Sequence, residues 1–147
     1  MGCDIHTFVE RKINGEWESV DKWADDELPN TYIPRDDRFY TNRDYVLFGM
    51  ICRNVRTLFE NGLPPKGIPD DLTTEVTNAF YDLGDDGHSH SYLTPKEIRQ
   101  LIAMTISDSE FAKVNYEGYY YKLFTAWETK LLSYGGEDQR LVFWFDN

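Results

Sequence analysis

Arg140-Leu141-Val142-Phe143-Trp144-Phe145-Asp146 stands at the end of the sequence, and the fold turns on this run. Its five central residues are apolar and rich in β-branched and aromatic types, which suit the pleated surface of a strand. As a mobile tail they would expose a large apolar patch, so the run reads as a buried strand in need of partners. The opening of the chain supplies them. Residues 4–12, DIHTFVERK, alternate and carry β-formers, and Asn14-Gly15 follows. That dipeptide is the strongest short hairpin signal, because a type I′ turn needs positive φ at both centres. Glu16 to Lys22 is then the return strand, with Trp17 and Val20 packing. The expectation is a single α+β domain over residues 1–147, with a small antiparallel sheet (N-terminal hairpin plus C-terminal strand) packed with about four helices.

Between these strands the apolar spacing changes from two to helical. The stretch from Ala24 to Thr41 holds Pro29, Pro34 and many charges, and reads as a long loop. Asn42 is expected to cap a helix whose stripe is Tyr45, Phe48, Ile51, Cys52, Val55, Leu58 and Phe59, ended by Asn61-Gly62. A short helix is expected from Asp70 or Asp71 to about Asp82. Gly84 to Ser91 is a loop by composition. Thr94-Pro95-Lys96-Glu97 is a capping box with proline at the first helical position, opening a helix to about Ile106. A last helix spans roughly Glu117 to Tyr134. On it, Tyr119, Tyr120 and Tyr121 cannot all face one way.

At 147 residues with 41% apolar and 16% aromatic content, the chain can bury a core without covalent staples. Two cysteines, Cys3 and Cys52, do not make a secreted disulfide framework, and no apolar run suits a signal peptide or membrane span. A cytoplasmic protein is expected, free of the membrane. The net charge of −11 disfavours a nucleic-acid polymer as partner, since such binding depends on basic surface. The charge is uneven, however. Residues 35–69 carry six basic and four acidic side chains, and five of the eight arginines lie between Arg35 and Arg56. That leaves room for one local site for a small anionic ligand.

The three histidines form the main chemical candidate. Asp4 and His6 are two apart in the first strand, and residues two apart in an extended chain share a face. His88 and His90 would share another if their segment is extended. The two pairs together make a three-His, one-carboxylate set suited to a divalent metal, with zinc or manganese the expected ion. The plainer alternative is a core His6 and a solvated turn around His88 and His90. Asp86 is the candidate general base, with Asp85 beside it. Arg53 and Arg56, one turn apart on the expected helix, can grip a phosphate, and Tyr92 is a further candidate contact. Known hydrolase signatures fit poorly: Ser91-Tyr92 follows the H-x-H, and there is no H-E-x-x-H, His-Asp dipeptide or phosphate-binding glycine loop.

Met1-Gly2-Cys3-Asp4-Ile5-His6, the Gly87-His88-Ser89-His90-Ser91 segment and the closing Val142-Phe143-Trp144-Phe145-Asp146-Asn147 carry a resemblance. With Arg43-Asp44-Tyr45 and Val55-Arg56 added, the chain resembles, over nearly its full length, a family of small bacteriophage and bacterial proteins. The resemblance implies a phage or prophage setting more than a mechanism. By analogy of context, it suggests a phage factor that counters host defence by destroying or sequestering a nucleotide signal.

The function expected from the sequence is therefore a metal-dependent hydrolase of phosphoesterase type, acting on a small phosphorylated molecule such as a nucleotide. Asp4, His6, His88 and His90 would hold the ion, and Arg53, Arg56 and Tyr92 the substrate. Two alternatives stand beside it: a nucleotide-binding protein that sequesters its ligand without turnover, and a structural or interaction protein. Homo-oligomer formation is left open.

Overall fold

Asn14 and Gly15 both adopt positive φ, 51° and 80°, as a two-residue turn between twisted strands requires. They join β1 (Asp4–Ile13) to β2 (Glu16–Ser19). The computed structural model describes residues 2–25 and 31–147, and it is α+β. Two short paired strands follow, β3 (Ala24–Asp25) and β4 (Thr31–Tyr32). Residues 26–30 of the expected long loop, Pro29 among them, lie outside the described residues.

The C-terminal run is a strand, β6 (Asp138–Asp146), and it pairs antiparallel with β1 along its full length. Its other edge is taken by β5 (Gly87–Leu93), giving the sheet order β2-β1-β6-β5. The expected sheet thus gains a strand where the sequence suggested a loop. A glycine- and serine-rich composition reads as a turn, but here pairing with the apolar β6 overrides it.

Strand β6 lies inside the sheet and is covered on both sides. One face carries Leu141, Phe143 and Phe145 into the main core, together with Ile5 and Val9. The other carries Val142, Trp144 and Phe8 into a second, smaller core. This explains why its sequence is a continuous apolar run instead of an alternation.

Five α-helices occur among the described residues: α1 (Tyr45–Ile51), α2 (Thr74–Leu83), α3 (Pro95–Ser107), α4 (Ser109–Val114) and α5 (Tyr119–Ser133). The capping box of α3 forms in both halves. Helix α2 starts at the Thr73 cap, and its Val76 enters the smaller core. Helix α1 is much shorter than its apolar stripe predicts. It ends at Cys52, whose backbone is extended, and the chain folds back so that Leu63 bonds to both Met50 and Arg53. The reason is close backbone packing. A methyl group on Gly49 would overlap the Thr57 carbonyl, and one on Gly62 the Gly49 carbonyl. Val55 and Phe59 are still buried, but through turns with positive φ at Asn54 and Arg56. In the tyrosine run, Tyr120 is buried while Tyr119 and Tyr121 are exposed.

Where β2 ends, the Asp21 carboxylate takes over and accepts the Val9 N–H at 2.8 Å. Burial pushes its carboxyl up to about 7 from 3.8, against the pull of that hydrogen bond. The native state therefore holds a proton that the unfolded chain has already lost, between about pH 4 and pH 7. Stability falls as pH rises through this window and is level above it. Asp21→Asn keeps an acceptor for Val9 without a charge to bury. It is expected to add about 4 kcal/mol near pH 8, shrinking towards zero near pH 4, as read by urea titrations across pH. A gain independent of pH would contradict this.

Candidate functional site

The i,i+2 relation of His88 and His90 is broken by one residue. Ser89 has φ of 56°, and the register passes from His88 opposite Phe145 to Ser91 opposite Phe143. Ser89 and His90 together therefore oppose Trp144 alone, a two-against-one β-bulge. The two imidazoles turn to opposite faces of the sheet. His88 stacks on Phe145, with ring centres 6.1 Å apart, and its Nε2 reaches Asn147 Oδ1 at 3.1 Å. His90 instead lies 5.5 Å from the Trp144 ring and 5.1 Å from Phe80. Burial, with a smaller contribution from His88, holds its pKa below the usual histidine value.

His6 sits across from Trp144 in the register and hence on the His90 face. Its Nε2 bonds Asp146 Oδ2 at 2.9 Å. Asp4 is gripped by Arg43, through Nε at 2.6 Å and Nη2 at 3.2 Å, and this guanidinium holds its carboxyl below the ordinary value. Asp4, His6, His88 and His90 are thus not assembled as one ligand set. Among the described residues no group of three or more His, Cys, Asp or Glu side chains is placed to hold an ion.

The other candidates are dispersed as well. Asp86 is exposed in a short 3-10 turn, Gly84–Asp86. Arg53 is exposed and donates to the Gly62 carbonyl at 3.0 Å. Arg56 covers the Tyr45 ring at 4.9 Å. With α1 ended at Ile51, these two arginines do not share a helical face. Tyr92 lies under Lys66 Nζ at 3.6 Å and borders a different cavity, beside Trp17 and Arg140.

What the fold does assemble is a cavity of about 240 Å³ on the smaller-core face. Phe8 and Trp144 contribute from the sheet and Trp23 from the segment after β2. These rings form a row: Phe8 stacks on Trp144 at 4.7 Å and on Trp23 at 5.8 Å, the latter nearly parallel at 12°. Tyr32, Ile33 and Arg38 line one side, and Ala79, Asp82 and Leu83 of α2 another. Arg38 Nε donates to the Ile33 carbonyl at 2.8 Å, which fixes the guanidinium. Its terminal nitrogens make no ion pair with a described residue. His6, with Asp146 behind it, also lines this cavity.

Of the candidate site residues named from sequence, His6 alone lines the cavity. Arg38 lay within the arginine-rich segment, so its signal was present but not its address. Trp23, Tyr32 and Asp82 come from separate segments, and no local motif joins them.

No known protein family, curated protein or solved structure matches the chain. No helix among the described residues is long and apolar enough to cross a membrane.

Proposed function

We propose that the protein binds a small anionic molecule bearing a flat ring, of the nucleotide class, in the cavity beside Trp144. The observation that carries this reading is the half-buried Trp23 ring, backed by the buried Phe8 and Trp144 rings, next to a fixed guanidinium. A base gains roughly 1–3 kcal/mol from stacking on an aromatic side chain. Arg38 supplies the charge-assisted bonds that a phosphate needs, and the Asp82 side chain supplies oxygens that accept from ring N–H groups. The phage resemblance adds a role: removal of a nucleotide signal from a host cytoplasm. A four-ligand metal centre has less support, because His88 faces the opposite side of the sheet from His6 and His90.

Trp23 and Trp144 make intrinsic fluorescence a direct reporter. Titration with mononucleotides, cyclic nucleotides and cyclic dinucleotides is expected to quench it saturably for at least one compound. Arg38→Ala should weaken that compound by roughly 10- to 100-fold, the scale of a charged hydrogen bond, with the melting temperature little changed. The reading fails if none of the panel quenches, or if Arg38→Ala binds as the parent does.

A further inference from the structure

We infer that the cavity cleaves what it binds, with His6 as the general base and Asp146 as its positioning residue. This rests on the binding reading above. Asp146 is the second carboxylate at that end of the sheet, since β1 and β6 bring it opposite Asp4. Arg43 takes Asp4 as its partner, which leaves Asp146 to the imidazole, at 2.9 Å.

An ionised carboxylate only accepts hydrogen bonds, so the neutral ring must place its proton on Nε2. Nδ1 is then the bare nitrogen, and it belongs to a ring that lines the cavity. The pair is neither buried nor fully solvated, with side chains 31% and 24% exposed for His6 and Asp146. A base in this setting can reach water and still keep its orientation. The histidine, its orienting carboxylate and a nearby guanidinium are the parts that acid–base cleavage of a phosphoester needs.

The step balances without a further reactant. A water oxygen attacks phosphorus while His6 Nδ1 takes its proton. The ring becomes imidazolium, which Asp146 stabilises through Nε2–H. The phosphorus bond to the ester oxygen breaks, and the charge growing on the phosphoryl oxygens is met by Arg38. The departing oxygen recovers a proton from imidazolium or solvent. One water is consumed, and one phosphoester becomes an alcohol and a phosphate.

The test uses cyclic AMP, cyclic GMP and a cyclic dinucleotide. Each is incubated with the full chain, and the products are separated by chromatography beside the fluorescence titration. The expected result is conversion of a compound that quenches, to its linear form. His6→Gln retains a donor for Asp146, and should lower kcat roughly 100-fold or more while KM moves far less. Asp146→Asn should also lower kcat, because it no longer enforces the tautomer. Added imidazole should restore part of the rate to His6→Ala, which a cross-strand stitch would not do. A nucleotide that quenches and returns intact overturns the cleavage and leaves binding standing. Turnover unchanged in His6→Gln overturns the role of His6. If none of the panel quenches, both readings fall.

Discussion

Removing residues 140–147 is expected to leave no cooperatively folded protein. Leu141, Val142, Phe143, Trp144 and Phe145 are each no more than 1% exposed. Burying a large apolar side chain is worth about 1.5–3 kcal/mol, so these five together contribute on the order of 10 kcal/mol. That matches the whole net stability of a typical domain, roughly 5–15 kcal/mol. The loss is also architectural. With β6 gone, β5 has no strand partner and β1 keeps only the short β2. Both cores open at once, since the strand feeds one with each face. The truncated chain should be recovered as aggregate, and any soluble fraction should lack a melting transition by circular dichroism. A soluble truncation that melts sharply would refute this account of the sheet.

The same strand shows what a sequence can disclose. Its continuous apolar run indicated burial, the Asn14-Gly15 turn indicated the hairpin, and Thr94 to Glu97 indicated the start of α3. Each signal is local: a β-forming run, a pair of positive φ angles, two reciprocal side-chain bonds. Where the reading departed from the structure, tertiary packing had overruled a local pattern. The stripe after Tyr45 kept helical spacing to Phe59, yet α1 stops at Ile51 because Gly49 and Gly62 bring two backbones together. Gly87 to Ser91 looked like a loop, yet β6 drew it into the sheet.

The candidate site was legible only in part, for the same physical reason. His6 was found because it lies in the most readable strand. Its partner Asp146 lies in the terminal run, but their 2.9 Å contact depends on a register that neither strand states alone. A single residue, Ser89 with its positive φ, decides whether His88 and His90 share a face. No spacing rule carries that information, because a bulge reverses every side chain beyond it.

A second large effect is expected at Arg140, the residue that opens the apolar run. It lies opposite Glu10 in the register, and both are almost wholly buried. Arg140 Nε donates to Glu10 Oε1 at 2.7 Å, and Nη1 donates to Asp71 Oδ1 at 2.8 Å. Its guanidinium also covers the Trp17 ring at 3.9 Å. The second Glu10 oxygen accepts the backbone N–H of Thr73, the residue that caps α2. One buried pair therefore joins β1 to β6 and ties both to the helix that lines the cavity. Arg140→Met keeps much of the apolar bulk but leaves Glu10 charged with no counter-ion in the interior. Breaking a buried pair in this way typically costs about 3–5 kcal/mol, whereas replacing both partners by apolar groups is often close to neutral. Urea unfolding of Arg140→Met should show a loss on that scale. Adding Glu10→Met should recover much of it, short of what the Thr73 bond is worth. Recovery separates an uncompensated charge from lost packing, because the double variant has even fewer of the original contacts. If the two losses simply add, the pair is no more than a packing element, and the orphaned charge of Glu10 is not what destabilises the single variant.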